Sequence, residues 1–305
     1  MKKILYTLFV LLLSLTFVTG LTACTVVPET AAYQSSEREV IENPAHEIED
    51  AVVSENKHTE EAEQIILIVT GRYGQGTLES NEMVTSILGR DNSQERFNVY
   101  FNWYNTVHEI GHMVDVILRS SALSEISLIE SELFANAFAV AFWARYGDEE
   151  TFNLLKELVP YALGNFYRPV AEDEDIFDLA GLFEAGEMAF TFNNYGWFQF
   201  SLVNHVLSEM RDLESIFTDA GLEFSEAPPQ RTLTFSSIEE DDIPEILAAV
   251  FTVLSEWGIE MSMPIYHMLS DDPNMHMVVP GETFEVLESW GASRDEMIRV
   301  WPLSS

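Results

Sequence analysis

The chain has a single cysteine, Cys24, in 305 residues, so no intrachain disulfide can form and the fold must be held by its core. Basic residues are also scarce: 15 Lys plus Arg stand against 51 Asp plus Glu, a formal net charge of −36. A protein that tracks phosphates needs a basic face, and no basic run here exceeds Lys2-Lys3. Nucleic acid is therefore excluded as a partner, and nonspecific attraction to an anionic bilayer is disfavoured. Beyond the N-terminus no apolar stretch approaches the roughly 18 residues of a membrane-spanning helix. Internal repeats and cell-wall-binding repeats are missing too. What the chain does have is 47% hydrophobic residues, including 20 Phe, 10 Tyr and 6 Trp, enough for a sizeable core and incompatible with a disordered protein.

Lys2 and Lys3 precede an apolar stretch from Ile4 to Val18, and Leu21-Thr22-Ala23 leads into Cys24. This run resembles a bacterial lipoprotein signal with its lipobox. The resemblance implies removal of residues 1–23, lipidation of Cys24, and a protein anchored at the outer face of the cytoplasmic membrane. Residues 24–63 carry Pro28, Ser35-Ser36, Pro44 and many glutamates with few aromatics, which reads as a flexible acidic tether. His46 and His58 within it read as solvated.

Ordered structure is expected from Gln64. The run Ile65 to Thr70 predicts a strand ended by Gly71 and the Gly74-Gln75-Gly76 turn, residues 78–89 a short helix, and Phe97 to Phe101 a second strand. Helices are expected over 102–119, 123–145 and 194–210. Pro228-Pro229 suggests a junction, Thr232 to Phe235 a strand and 243–256 a helix; Met275 to Val279 is followed by a Pro280-Gly281 turn and a final helix from about Thr283. The class is α+β. A main domain over 64–228 is followed by a helical or mixed subdomain over 229–305, which can be continuous with it.

The sharpest chemistry lies in His108-Glu109-Ile110-Gly111-His112. Imidazoles at i and i+4 project from one helical face, which suits two coordination positions on one Zn2+, and Glu109 beside them suits a general base. Glu132, twenty residues on, falls on the next expected helix and could complete a His2Glu site of the hydrolytic kind. Asn136, one turn further, could accept a hydrogen bond from the far nitrogen of His108. Glu130 is a weaker third-ligand candidate, two positions from Glu132 and so pointing elsewhere. Asp115 suits a local helix interaction better than a role in the site.

Together, His108-Glu109-x-x-His112 and Glu132-x-x-Ala135-Asn136-x-Phe138-Ala139 resemble the gluzincin class of zinc metallopeptidases over roughly residues 97–145. The resemblance implies that His108, His112 and Glu132 bind one zinc ion, that Glu109 is the base and proton shuttle, that Asn136 orients a ligand, and that the substrate is a peptide or protein. The chain lacks the glycines and downstream histidine of the metzincin pattern, and the Gly-x-Met-Glu-Asn segment of one large aminopeptidase group. Tyr195 and His205 are the candidate oxyanion donors. The Phe97 to Phe101 segment could offer a free edge to an extended peptide. The run Glu172-Asp173-Glu174-Asp175 is a weak Ca2+ candidate, since EF-hand spacing is missing. His267 and His276 could form a further metal or oxyanion site, although isolated histidines rarely do. The summed acidic field favours neutral or cationic substrates. The competing reading is a noncatalytic surface-binding protein that retains the zincin fold.

Overall fold

A computed structural model describes residues 63–119 and 127–302. The expected lipobox, Cys24 and all of the tether but Glu63 lie outside the described residues. The fold is mostly helical with one small mixed sheet, an α+β arrangement. Strand β1 (Gln64–Gly71) pairs in parallel with β2 (Ile265–Ser270) and antiparallel with β3 (Met277–Thr283), while β4 (Ile298–Trp301) pairs antiparallel with β2. The order across the sheet is β3-β1-β2-β4. Strand β1 reads as an unbroken apolar run because both of its faces are covered. Ile66 and Ile68 enter the main core, and Ile65, Leu67 and Val69 enter a second cluster with Val279, Phe284 and Leu287. Three of the four strands thus come from beyond residue 229, so the late part of the chain is built around the first strand.

The helices are α1 (Leu78–Leu88), α2 (Ser93–Phe97), α3 (Thr106–Leu118), α4 (Leu128–Tyr146), α5 (Glu149–Leu163), α6 (Ile176–Glu184), α7 (Phe192–Glu209), α8 (Leu213–Asp219), α9 (Ile243–Glu256) and α10 (Phe284–Ser289). A π-helical stretch, Asn98–Asn105, joins α2 to α3. This corrects the strand expected at Phe97 to Phe101. The alternation seen there also fits a helix, because Phe97, Tyr100, Phe101 and Tyr104 recur at i, i+3, i+4 and i+7. The Phe97 and Phe101 rings touch across one turn at 4.6 Å, and Tyr100 stacks on Phe200 of α7 at 4.1 Å. Packing along one face outweighs the strand preference of the aromatics, and no free edge exists at 97–101 for a peptide.

Two further expectations fail. Residues 232–235 form no strand, since the Leu233 N–H donates to the Tyr146 carbonyl at the end of α4 (2.7 Å). Pro280-Gly281 does not end β3, because the strand passes through it with a register shift against Ile65 and Ile66. Gly281 at φ +76 absorbs that irregularity, as a residue without Cβ can.

Helix α4 is the centre of the molecule. Six successive residues, Phe138 to Trp143, are all buried, so the helix is apolar around most of its circumference there. Each large ring removed from water contributes roughly 1.5–3 kcal/mol. Trp143 stacks on Trp103 at 4.2 Å and donates Nε1–H to the Trp103 carbonyl at 3.1 Å. Ser127 caps the helix, with its hydroxyl accepting from the Glu130 N–H and Glu130 accepting from the Ser127 N–H. Glu130 is spent on that cap, as its spacing from Glu132 suggested.

Candidate metal centre and cleft

His108 and His112 sit one turn apart on α3, with rings edge to face at 4.7 Å. Helix α4 runs back along α3 and brings Glu132 between them. His112 Nε2 lies 3.2 Å from His108 Nε2, and Glu132 Oε2 lies 3.4 Å from His108 Nε2 and 3.7 Å from His112 Nε2. For tetrahedral zinc with bonds of 2.0–2.1 Å, neighbouring donors are about 3.3–3.4 Å apart. The three atoms match that edge length. Among the described residues this is the metal-competent group of three, with His108 and Glu132 buried and His112 partly open. Glu132 Oε2 is buried and accepts no hydrogen bond. A buried carboxylate oxygen without a donor is costly unless a cation faces it. Two imidazoles and one carboxylate suit Zn2+ better than the all-oxygen shells of Ca2+ or Mg2+. The residues fit one zinc ion.

Close approach of the two helices is made possible by Gly111. A Cβ there would stand 2.8 Å from Ala135 Cα, 3.0 Å from its carbonyl oxygen and 3.1 Å from a Phe138 ring carbon. The glycine between the histidines thus sets how near Glu132 can come.

Several side chains orient the ligands. His112 Nδ1 is 3.1 Å from Ser131 Oγ. Tyr195 Oη donates to Glu132 Oε1 at 3.0 Å, which leaves Oε2 to face the imidazoles, and Gln199 Nε2 donates to Tyr195 Oη at 2.8 Å. Asn136 is placed differently from expectation: its Oδ1 accepts from Tyr104 Oη at 2.7 Å and its Nδ2 donates to the Glu132 carbonyl at 2.8 Å. The Asn136 carboxamide favours the charged form of His108 nearby, but His108 Nδ1 makes no hydrogen bond of good geometry.

The electrostatics follow from burial and proximity. Burial works against ionisation of Glu132, but the neighbouring His112 and His108 outweigh it and hold the carboxyl at about 2. For His108, burial lowers the pKa and Glu132 more than compensates, giving a net rise; His112 is lowered to about 4, chiefly by burial. Glu109 is raised to about 7 by burial, with His108 and a 3.4 Å hydrogen bond from Asn105 opposing the rise. Burial, then the Glu132 and Glu109 charges, keep the Tyr195 phenol protonated and thus a donor.

His108, Glu109 and Tyr195 line one cleft of about 160 Å3. His205 does not reach it. Ten residues along a helix amount to about 15 Å of rise and a rotation that misses Tyr195 by about 80°. His205 Nε2 instead lies 3.4 Å from Glu209 Oε1, beside a second cavity with Arg119 and Glu130. Asp115 pairs with Arg119 at 2.5 Å and is outside the metal group. His276 lines the cleft, stacked on Phe101 at 4.8 Å, whereas His267 is buried with Nε2 2.8 Å from Thr70 Oγ1; the two form no second metal site among the described residues. In the run read as a weak Ca2+ candidate, Asp175 caps α6 and Glu174 accepts from the Ala171 N–H.

Ser131, Gln199, Asn105 and Gly111 are the site residues that sequence reasoning missed. Asn105 and Gln199 stand one helical turn from Glu109 and Tyr195, a signal available once those helices were assigned. No protein-family model matches the chain, and neither does any curated protein or solved structure.

Proposed function

We propose that the chain is a zinc-dependent peptidase of the gluzincin kind, exported and held by a lipid on Cys24 at the outer face of the cytoplasmic membrane. The observation that carries the catalytic reading is the placement of Glu109 in an open cleft next to three donor atoms at tetrahedral spacing. His108, His112 and Glu132 would hold the metal. A bound Zn2+ supplies Lewis acidity, polarising a carbonyl oxygen and lowering the pKa of water.

The remaining work belongs to the chain. Glu109 takes a proton from the attacking water and passes it to the departing amine nitrogen, so the carboxylate returns to its starting state. Asn105, donating to Glu109 Oε1, fixes the direction of that carboxylate. Tyr195 holds Glu132 through Oε1 with its single phenolic proton, and from its place at the cleft wall that O–H would turn from Glu132 to the substrate oxygen as negative charge develops there. Apolar walls limit water and strengthen these interactions.

The test uses the zinc-loaded full chain in detergent with a diverse peptide library, cuts being mapped by mass spectrometry. Cuts made by the parent and lost in Glu109→Gln, with zinc retained in both, are the expected result. A folded, zinc-loaded parent that cuts nothing overturns the peptidase reading in favour of a noncatalytic binding protein. Anchoring is tested separately: Cys24→Ser should move the protein from the membrane fraction to the soluble fraction.

A further inference from the structure

A second cavity, of about 440 Å3, opens on another face of α4, and none of the three metal donors lines it. Leu133, Phe134 and Ala137 of α4, Val206 of α7 and Ile216 of α8 supply its apolar lining. Charges of both signs surround them: Arg119 and Arg211 together with Glu130, Glu209 and Asp219. Two of the chain's 15 basic residues therefore converge on one cavity, in a protein of net charge −36.

Arg119 is held in the posture of a carboxylate receptor. Its Nε pairs at 2.5 Å with the buried Asp115, and its guanidinium lies over the Phe134 ring at 4.9 Å. Those contacts leave the Nη1 and Nη2 edge without a hydrogen-bond partner among the described residues. A planar fork fixed from behind can take both oxygens of a carboxylate side by side. Glu209 is its counterpart of opposite sign. Asp219 is paired with Arg211 at 2.5 Å and Glu130 accepts from the Ser127 N–H, whereas Glu209, half exposed, has only His205 beside it at 3.4 Å.

Size and charge balance narrow the ligand. The volume exceeds the roughly 150 Å3 that holds a benzene-sized guest, so an apolar side chain fits together with the backbone groups that carry its charges. The lining has two arginines against three carboxylates. A fatty acid would add a further negative charge, and a simple amine would leave Arg119 unanswered. A zwitterion meets both.

We infer that this cavity binds a free amino acid or short peptide with a large apolar side chain, its carboxylate on Arg119, its ammonium on Glu209 and its side chain against Leu133, Phe134, Val206 and Ile216. The site stands on its own residues and does not need the peptidase reading. Under that reading, hydrolysis of a peptide bond frees one carboxylate and one amine, so the products belong to this ligand class.

The test is titration calorimetry on the zinc-loaded full chain in detergent, carrying Glu109→Gln so that no probe is consumed, with hydrogen-exchange mass spectrometry to locate the ligand. The probes are Leu-Leu, its N-acetyl acid, its amide, its N-acetyl amide, Gly-Gly and octanoate. Leu-Leu should bind at least about tenfold more tightly than any of the others and protect residues 130–137 and 205–220 from exchange. Arg119→Lys keeps a charge for Asp115 but loses the fork, and Glu209→Gln keeps the shape but loses the charge. Each should weaken Leu-Leu about tenfold and leave the N-acetyl amide unchanged. Ala137→Leu should fill the apolar part and weaken every leucine-bearing probe. Glu209 sits at the exposed end of α7, so its variant reads the site even where Ala137→Leu misfolds. Protection confined to the metal cleft, octanoate binding as tightly as Leu-Leu, or Leu-Leu affinity unchanged in both Arg119→Lys and Glu209→Gln overturns the assignment. Absence of both heat and exchange protection with millimolar Leu-Leu overturns it as well. None of these outcomes touches the peptidase reading, which the cleavage assay tests by itself.

Discussion

Gly111→Ala is the most demanding test of how the metal centre is assembled. The new methyl would lie 2.8 Å from Ala135 Cα and 3.0 Å from the Ala135 oxygen, both backbone atoms that no rotamer change can move aside. Carbon atoms in good contact sit about 3.5–4.0 Å apart, so α4 has to retreat by roughly 0.7–1 Å. Glu132 lies three residues before Ala135, about 4.5 Å along the same helix, and moves with it. Its oxygen, now 3.4 Å from His108 Nε2, would pass beyond 4 Å by roughly that retreat, outside the spacing of about 3.3 Å for tetrahedral zinc donors. For the metal-free fold, overpacking costs about 1–3 kcal/mol and is partly offset by the gain of about 1 kcal/mol from replacing a helical glycine by alanine. The expected signature is thus uneven: a small change in thermal midpoint without metal, and a loss of zinc affinity of about ten- to a hundredfold in a competition titration against a chromophoric chelator. Adding Ala135→Gly should not rescue, because the clash is with backbone. Parent zinc affinity in Gly111→Ala, or rescue by the second change, would refute the reasoning.

Other consequences are as direct. Ser131→Ala removes the partner of His112 Nδ1 and should weaken zinc binding about tenfold with little effect on metal-free stability, as read by the same titration and a melt. Tyr195→Phe leaves Glu132 Oε1 without its donor; kcat on a cleaved peptide should fall about ten- to a hundredfold, more than zinc affinity does, and equal losses in both would assign the phenol to ligand orientation alone. His267, held at about 4 by burial against an unfolded value near 6.5, stabilises the fold fully above pH 6.5 and progressively less as the pH falls toward 4. The loss amounts to about 3 kcal/mol at or below pH 4, so His267→Gln should flatten that part of the denaturation profile, and an unchanged slope would show that the imidazole charges without opening the fold.

The sequence carried the chemistry and most of the helices. Helix α9 is legible because Ile243, Ile246, Leu247, Val250 and Leu254 keep helical spacing, and all five are buried. The His-Glu-x-x-His spacing, with Glu132 on a second helix, suggested the donor group because i,i+4 geometry is local. Phe97 to Phe101 misled for the same reason in reverse: a five-residue aromatic run satisfies both periods, and its partners, Phe200 and His276, lie about 100 and 175 residues away in sequence.

What residue types and local spacing determined was an acidic, disulfide-free chain and a pair of imidazoles on one turn, since charge and helical period need no knowledge of the rest of the fold. What only the tertiary structure decided was the distance between helices and the identity of each long-range partner. Gly111 lets α4 approach, Tyr195 rather than His205 meets Glu132, Asn136 meets Tyr104, and Gly196 admits the Phe166 ring. Those contacts depend on steric fit between segments far apart along the chain, which no local pattern encodes.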